Sequence, residues 1–402
     1  MRFDVAVIGG GILGLATAYR LLESRPDLTL AVLEKGGELA GHQTSHNSGV
    51  LHSGLYYRPG SLKAKLCIEG KAALERFAEG HDIPHRRCGK IVVALESSEL
   101  PRLARLKEFG LANGIPGLEE IGPERIRELE PHAAGIRALH LPGTGVIEFR
   151  EVALALGEEV RGQGGDIRLG HLVTSLSQRA ASWRVETTGG DLEARFVVGC
   201  AGLHADRVGE MSGLRRDDRI VPFRGDYYTL VPSAASLVNA LIYPVPNPDF
   251  PFLGVHLTRH LDGHVTAGPN AVLALAREGY RRRDVNGRDV ADIVGFRGFR
   301  RLARTYWRTG LAEMWRDVSK EAFLKACRRY VPELRRRDMT FGPSGVRAQL
   351  VGPDGSLADD FSLQQGRGIL HVLNAPSPAA TACLAIGELL TRWALEDSTL
   401  DR

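Results

Sequence analysis

The N-terminal segment carries the pattern that most restricts what this 402-residue chain can fold into. Phe3–Ile8 is an apolar run, and Gly9, Gly11 and Gly14 form a glycine turn after it. Ile12–Leu22 has a helical pattern, Leu28–Leu33 is a second apolar run, and the acidic residue Glu34 follows directly. Gly9 permits a tight turn, Gly11 lets a pyrophosphate approach the backbone, and Gly14 lets helix and strand pack closely. The helix N-terminus offers free N–H groups and partial positive charge to phosphates. Together these parts predict a Rossmann-like unit for an adenine dinucleotide, with Glu34 accepting hydrogen bonds from the ribose.

Composition narrows the class of protein. Hydrophobic residues make up 43% of the chain and the net charge is +4, which indicates a substantial core and disfavours a nucleic-acid-binding protein. The chain starts almost directly on the first strand, so we expect no targeting segment. The five cysteines show no metal-ligand spacing, which predicts reduced thiols, no metal site and a cytoplasmic location.

Strand-like segments of the nucleotide-binding type recur in the middle and near the end of the chain. We therefore expect an α/β fold (α+β overall), with a discontinuous cofactor-binding domain and a strand-rich substrate or lid domain inserted into it. The expected ranges are 1–80, 150–215 and 340–402 for the first domain, and 81–149 and 216–339 for the second, with a basic helical region at 296–337. A final helix is predicted from Pro378 to Glu396, with Ser377 as its N-cap.

Ligands in such folds bind at the carboxyl ends of the strands. The sequence therefore predicts cofactor contacts in the first glycine turn, after the second strand, in the polar loop that follows it, at the start of a middle strand, and at two later strand ends. The predicted residues are Gly9, Gly11, Ile12, Leu13 and Gly14; Glu34 and Lys35; Thr44, Ser45, Asn47, Ser48 and Gly49; Val173; Cys200, Ala201 and Gly202; and Asn374, Ala375, Pro376 and Ser377.

The densest chemistry lies between His42 and Lys63, where three histidines, two adjacent tyrosines and several hydroxyls occur together. Placed just after the dinucleotide unit, this loop would run along the cofactor toward a redox ring. A polar surface loop is the alternative, because binding loops share its composition.

Several segments resemble one family of flavoenzymes. They are Ser45–Tyr57, Pro59–Cys67, Phe223–Tyr228, Gly268–Val272, Arg277–Tyr280, Ser344–Gln349 and Asn374–Thr381. In this order they resemble the L-2-hydroxyglutarate dehydrogenase/oxidase family, within the wider D-amino-acid-oxidase-like group of FAD enzymes. The resemblance spans nearly the whole chain and implies FAD as cofactor and oxidation of L-2-hydroxyglutarate to 2-oxoglutarate. Cys200 departs from the plain small residue usual in the wider group, and we expect no functional change from it.

A 2-hydroxy diacid needs two cations and a base. Arg347 resembles the carboxylate-binding arginine of the wider group, and Lys63 and Arg224 are candidates for the second carboxylate or for structural ion pairs. His52 is favoured over His256 as the base that takes the hydroxyl proton while hydride passes to flavin N5. Tyr57 could close the pocket or bind a carboxylate. The start of the last helix would direct positive potential at the reduced flavin, and Asn374 could add a hydrogen bond there.

The remaining hypotheses concern partners. The arginine-rich helical region could lie on an anionic membrane, which would suit a quinone acceptor, or could be a packed helix with a solvated face; oxygen is the other candidate acceptor. Alternative functions are a related oxidoreductase for an amino acid, an N-methyl amine or glycerol 3-phosphate, and a flavin-binding regulatory protein.

Overall fold

The computed structural model describes residues 1–247 and 253–400; parts of the two predicted domains at 248–252 and 401–402 lie outside these ranges. The strands in chain order are β1 (Arg2–Ile8), β2 (Leu30–Leu33), β3 (Val50–Leu51), β4 (His85–Arg87), β5 (Lys90–Ala94), β6 (Glu119–Ile121), β7 (Arg137–Leu141), β8 (Gly145–Ile147), β9 (Asp166–Arg168), β10 (Val173–Gln178), β11 (Trp183–Thr187), β12 (Leu192–Gly199), β13 (Arg219–Leu230), β14 (Leu241–Pro244), β15 (His256–Arg259), β16 (Val265–Gly268), β17 (Val272–Leu273), β18 (Met339–Val351), β19 (Ser362–Gly366) and β20 (Ile369–Asn374).

The α-helices are α1 (Ile12–Ser24), α2 (Leu62–Gly80), α3 (Leu100–Ala112), α4 (Pro123–Leu129), α5 (Phe149–Gly162), α6 (Ala205–Met211), α7 (Gly287–Gly295), α8 (Arg297–Thr305), α9 (Trp307–Val318), α10 (Lys320–Arg328) and α11 (Cys383–Leu395). Short 3-10 segments lie at Ser97–Glu99, Gly202–His204, Pro232–Leu237, Arg336–Asp338 and Ser398–Leu400. No helix in the described ranges combines the length and apolar character that a bilayer crossing requires.

The first sheet is built from three distant parts of the chain, as predicted. Its order is β10–β11–β12–β1–β2–β9, and β20 joins β12 with β19 beside it. β1 runs parallel to both β2 and β12, and β20 runs parallel to β12. Helices α1, α2, α5 and α11 cover one face of this sheet. The apolar side chains on the inner side of each helix pack against the apolar side chains of the strands, so both are buried.

The second sheet has the order β18–β13–β16–β15–β14–β5–β7–β6, with β17 also paired to β13. Its core includes Phe323, Leu324 and Cys327 of α10, which are fully buried. β18 was expected in the cofactor-binding domain but pairs along its length with β13 in this sheet. That part of the division was wrong, because an alternating strand pattern does not show which sheet it joins; the other domain bounds stay a prediction.

The last helix begins later than predicted. α11 starts at Cys383 with Ala382 as its N-cap, so Ser377 does not cap it. The preceding residues form turns, and the Thr381 hydroxyl donates to the Val50 carbonyl at 3.2 Å. The helix begins later because the Thr381 hydroxyl is bonded to a distant strand, and because Pro376 and Pro378 have no backbone N–H to donate to a helical hydrogen bond.

Candidate active site

The glycine turn has the close packing that the sequence predicts. Gly9 has a φ of +114°, and a Cβ there would lie 2.4 Å from the Cys200 carbonyl oxygen. A Cβ on Gly14 would lie 2.0 Å from the Gly9 carbonyl oxygen. Only glycine fits at either position, so the ends of β1 and β12 and the start of α1 approach each other closely.

Side chains around this turn hold its backbone. The Thr44 hydroxyl accepts from the Ile12 N–H at 3.1 Å. The buried Glu34 carboxylate accepts from the Gly10 N–H at 2.8 Å and the Gly36 N–H at 2.7 Å. Each carboxylate oxygen retains a lone pair, so Glu34 can also accept from a ribose. Ile12 and Leu13 open α1 directly above this turn.

The polar loop after β2 is shaped by its own side chains. The Ser45 hydroxyl donates to the Ala40 carbonyl at 2.6 Å. Asn47 donates to the Thr44 carbonyl at 2.5 Å and accepts from the Gly49 N–H at 2.8 Å. Ser48 lies between these contacts and is half-buried. Asn47 thus holds the loop in position rather than leaving its amide free for a ligand.

Lys35 belongs to a charged cluster at the end of β2. Its ammonium pairs with the Glu278 carboxylate, and His204 Nε2 lies 3.4 Å from the same carboxylate. Burial opposes ionisation of Glu278, but the hydrogen bonds from His204 and Lys35 lower its pKa to about 2. The backbone N–H of His171, two residues before Val173, donates to the Glu34 carbonyl, which places Val173 beside the same strand end.

The carboxyl ends of β12 and β20 complete this edge. Cys200, Ala201 and Gly202 follow β12, and Asn374 ends β20. The segment after Asn374, with Ala375, Pro376 and Ser377, turns back over the chain that follows β3. There the Ser377 hydroxyl lies 3.3 Å from His52 Nε2, and the Thr381 hydroxyl accepts from the His52 N–H at 3.2 Å.

His256, the first residue of β15, has a defined hydrogen-bond arrangement. Its Nδ1 lies 3.0 Å from the Gly254 carbonyl oxygen, and its ring stacks on Tyr243 with centroids 4.0 Å apart. A carbonyl accepts only, so Nδ1 carries the proton and Nε2 is left as an acceptor. Burial, followed by the nearby positive charges of Arg347 and Lys90, lowers the pKa of His256 to about 3. The imidazole is therefore neutral near neutral pH.

Arg347 in β18 lies beside the predicted loop and near His256. His46 Nδ1 lies 3.1 Å from the Ser344 carbonyl oxygen, and the Gln43 amide donates to the Val346 carbonyl at 3.0 Å. Arg347 donates to the Asn270 carbonyl at 3.4 Å, and burial lowers its pKa. The structure thus places the His46 part of the loop beside the segment that holds Arg347, and Arg347 near His256.

The sequence matches the family described as FAD dependent oxidoreductase (DAO) over residues 4–393. The chain belongs to this family. A mitochondrial L-2-hydroxyglutarate dehydrogenase of Nematostella vectensis is 46% identical over 99% of this chain and 92% of that relative. The L-2-hydroxyglutarate dehydrogenase of Indibacter alkaliphilus is 45% identical over 98% of this chain and 100% of that relative.

Among solved structures, the FAD-bound L-alpha-glycerophosphate oxidase of Mycoplasma pneumoniae matches with a TM-score of 0.79. Its sequence identity is 22%, and the match covers 100% of this chain and 95% of that one. This likeness confirms the predicted fold class, and the family match confirms FAD as the predicted cofactor.

The residues at the strand ends fit the FAD of this oxidoreductase family. Asn374 is buried and its amide nitrogen donates to the Asp360 carbonyl at 2.9 Å. Its Oδ1 is buried with no hydrogen-bond partner among the described residues. A buried acceptor without a partner is costly, so a donor such as a flavin ring N–H would satisfy it.

The two cations predicted for a second carboxylate both have carboxylate partners. Lys63 Nζ lies 3.1 Å from Asp359. Arg224 is buried, with Nε 2.9 Å from Asp226 and Nη2 3.3 Å from Asp317. These contacts favour the ion-pair alternative that the sequence left open for each residue.

Tyr57 is buried close to Lys63, whose ammonium lies 5.2 Å from the centre of its ring. Burial, followed by the nearby Cys67, raises its pKa well above the usual range, so the phenol stays protonated. Such a phenol can donate a hydrogen bond, as the predicted carboxylate contact requires.

Sequence reasoning missed Lys90 and the aromatic rings around it. Lys90 begins the apolar strand β5 and is 2% exposed, with Nζ 4.7 Å from the ring centre of Tyr56 and 4.9 Å from that of Tyr243. The available signal was a lone cation in an otherwise apolar strand, since lysine is rarely buried without a reason. Among the described residues, no cluster of three or more His, Cys, Asp or Glu side chains could hold a metal ion.

Proposed function

We propose that this protein uses FAD to oxidise L-2-hydroxyglutarate to 2-oxoglutarate. Relatives that are 45–46% identical over nearly the whole chain bear that activity in their names. The observation that carries the proposal is the convergence of Arg347 and His256, a carboxylate-binding cation and a neutral proton acceptor, beside the loop that follows the dinucleotide unit. These are the groups that oxidation of a 2-hydroxy acid needs.

Each side chain has a distinct task in this proposal. The Arg347 guanidinium holds the carboxylate next to the reacting carbon, where two parallel hydrogen bonds fix its orientation. His256 Nε2 accepts the hydroxyl proton as the carbonyl forms. When bound, FAD supplies the acceptor for the hydride that leaves the α-carbon.

The contacts support His256 over His52 as the base, which reverses the preference drawn from the sequence. His52 Nε2 faces the Ser377 hydroxyl at 3.3 Å, and the backbone of His52 is held by Thr381. Burial, followed by the charges of Lys90 and His256, lowers the pKa of His52 to about 3. His52 therefore fits a neutral side chain that positions its neighbours.

We expect anaerobic L-2-hydroxyglutarate to bleach the flavin of the purified holoenzyme. The D-enantiomer, glycerol 3-phosphate, sarcosine and an acidic amino acid are the comparison substrates, and stopped-flow absorbance gives the reduction rate for each. Faster reduction by glycerol 3-phosphate, sarcosine or the amino acid would select a rival oxidoreductase. A flavin that none of them reduces would favour a regulatory protein.

We also propose that helix α9 lies on an anionic membrane surface. No residue of α9 is buried. Its exposed apolar side chains are Trp307, Leu311, Met314, Trp315 and Val318. At 100° per residue these positions fall on one face of the helix.

The opposite face of α9 contacts the rest of the protein through two carboxylates. Glu313 accepts a hydrogen bond from the Ala271 N–H at 3.0 Å, and Asp317 accepts one from the Asn270 amide at 2.8 Å.

The charge next to α9 favours anionic lipid headgroups over an apolar protein partner. Four side chains of α8 line a cleft of about 330 Å³, and all are arginines: Arg297, Arg300, Arg301 and Arg304. Phe296, Leu302 and Phe323, also from this basic region, are buried instead. The proposed membrane surface is therefore limited to α9 and the arginine cleft, rather than the whole basic region. Contact of this surface with a membrane would suit electron transfer to a quinone. Reoxidation rates under air and with a quinone analogue separate the two acceptors.

We expect the protein to co-sediment at low salt with vesicles of phosphatidylglycerol and phosphatidylcholine, and less with phosphatidylcholine alone. A Leu311→Glu/Trp315→Glu variant should bind roughly tenfold more weakly, because two apolar anchors are lost. Leu111→Glu, at an exposed leucine of α3, is the matched control and should bind like the wild type. Failure of the wild type to bind anionic vesicles at low salt would remove the membrane proposal.

A further inference from the structure

Lys90 occupies an unusual environment for a cation. It is 2% exposed and is held between the Tyr56 and Tyr243 rings, with Nζ within 5 Å of both ring centres. Among the described residues no Asp or Glu carboxylate forms an ion pair with it, and Cys67 is the ionisable group that acts on its charge. Ring faces attract a cation but do not neutralise its charge. A buried lysine in such a box therefore lacks the anion that would stabilise it.

The other cations offered for a second carboxylate differ in this respect. Lys63 pairs with Asp359, and Arg224 pairs with Asp226 and Asp317. An incoming carboxylate would have to displace a protein carboxylate from either of them. At Lys90 it would add the missing counter-charge with nothing to displace.

The sheet places Lys90 opposite Arg347 with respect to the base. In the strand order β18–β13–β16–β15–β14–β5, Arg347 lies on the first strand, His256 on the fourth and Lys90 on the last. The positive charges of both Arg347 and Lys90 act on the His256 imidazole, so each lies within electrostatic reach of it. Two cations thus flank one neutral proton acceptor.

We propose that Lys90 binds the second carboxylate of a dicarboxylate substrate and makes the site select diacids over monoacids. Arg347 binds the carboxylate next to the reacting carbon, His256 faces the hydroxyl, and Lys90 lies where the far carboxylate ends. This inference rests on the proposed function and names the residue responsible for its substrate class.

The lowered pKa of Lys90 is consistent with a buried cation that has no anionic partner among the residues that the structure describes. Burial lowers the pKa of Lys90 to about 7. The groups facing it are Tyr56 from the loop, Tyr243 from β14, His256 from β15, His52 after β3 and Cys67 from α2. Burial raises the pKa of the tyrosines and of Cys67 and lowers that of both histidines to about 3. Of these facing groups, only Lys90 is therefore expected to change charge near neutral pH.

Binding of non-reacting acids to the oxidised holoenzyme tests the inference without turnover. Glutarate and pentanoate have the same chain length and differ by one carboxylate, and flavin absorbance reports both. Lys90→Met should weaken glutarate binding roughly 30-fold or more and leave pentanoate binding nearly unchanged. Methionine fits an aromatic box, so folding is expected to survive. Lys90→Arg, which keeps the charge, should restore part of the preference.

The pH dependence gives a second readout. Glutarate binding should be constant while Lys90 is protonated, and should fall about tenfold per pH unit above a pH of about 7. Lys90→Met should lose this slope, and Lys90→Arg should move it out of range. Lys107→Met, at an exposed ion pair with Glu120, is the charge-matched control and should behave as wild type.

The outcomes separate this inference from the proposed function. If the wild type oxidises L-2-hydroxyglutarate but Lys90→Met keeps its preference for glutarate, the role of Lys90 is wrong. A collapse of that preference in Lys63→Met alone would move the role to Lys63. If the wild type oxidises no 2-hydroxy acid, yet Lys90→Met loses the preference for glutarate, the proposed function fails and the diacid site stands.

Discussion

Replacing Arg347 with alanine is expected to raise the KM for L-2-hydroxyglutarate roughly 10²-fold, about 3 kcal/mol, while the protein stays yellow. The guanidinium is partly desolvated and borders the His46 loop, so its loss leaves a substrate carboxylate without a partner in a site of low polarity. The flavin should remain because the glycine turn, Glu34 and Asn374 lie on other strands. Steady-state kinetics and the flavin absorbance ratio of the purified variant measure both effects.

The controls for this prediction separate charge from geometry. Arg347→Lys keeps the charge but loses the planar fork, so it should recover only part of the affinity. Arg337→Ala removes a guanidinium whose side chain is 76% exposed, and should leave KM unchanged. Wild-type kinetics in Arg347→Ala would take this residue out of the substrate site.

Replacing His256 with phenylalanine is expected to lower kcat roughly 10³-fold, within the range that loss of a general base produces. The phenyl ring can keep the stacking on Tyr243 but cannot accept the hydroxyl proton. His52→Asn should lower kcat far less, because His52 is proposed to position its neighbours. Rapid-mixing measurements of flavin reduction at saturating substrate separate this step from product release.

The acid side of the pH profile tests for a base with a strongly lowered pKa, a property that His256 and His52 share, so the variants decide between the two. A base with a lowered pKa of about 3 is already in its accepting form throughout the mildly acidic range. The rate of flavin reduction should therefore stay flat as pH falls from neutral toward about 4. A larger loss of kcat in His52→Asn than in His256→Phe would reverse the assignment.

Sequence patterns predicted most of the architecture because its strongest signals are local. The glycine turn, the apolar strand runs and the acidic residue at the end of β2 lie within one contiguous segment, and Gly9 shows the left-handed φ that the turn needs. The later segments carried the family resemblance, which the family match and the relatives named L-2-hydroxyglutarate dehydrogenase together confirm. The contacts assigned to individual site residues stay a prediction.

The errors arose where distant parts of the chain compete with local rules. Ser377 and Pro378 form a local pattern that predicts a helix start. The Thr381 hydroxyl instead donates a hydrogen bond to the Val50 carbonyl of β3, and the helix begins at Cys383. Lys90 lies in a strand whose local pattern is simply apolar, and its significance depends on Tyr56 and Tyr243, which come from other segments. Sheet order is a non-local property, so the arrangement of Lys90 and Arg347 on either side of His256 could not be read from spacing.

The pairing of the two ends of the chain has a consequence for biosynthesis. β20 completes the sheet beside β12, α11 packs on α1, and the turn at Ser377 to Thr381 closes over His52. β20 and α11 can join β12 and α1 only after residues 369–395 have left the ribosome. We therefore expect FAD to bind only after this segment has folded, and a chain cut before Asn374 to hold FAD weakly, because it would lack the end of β20 and all of α11.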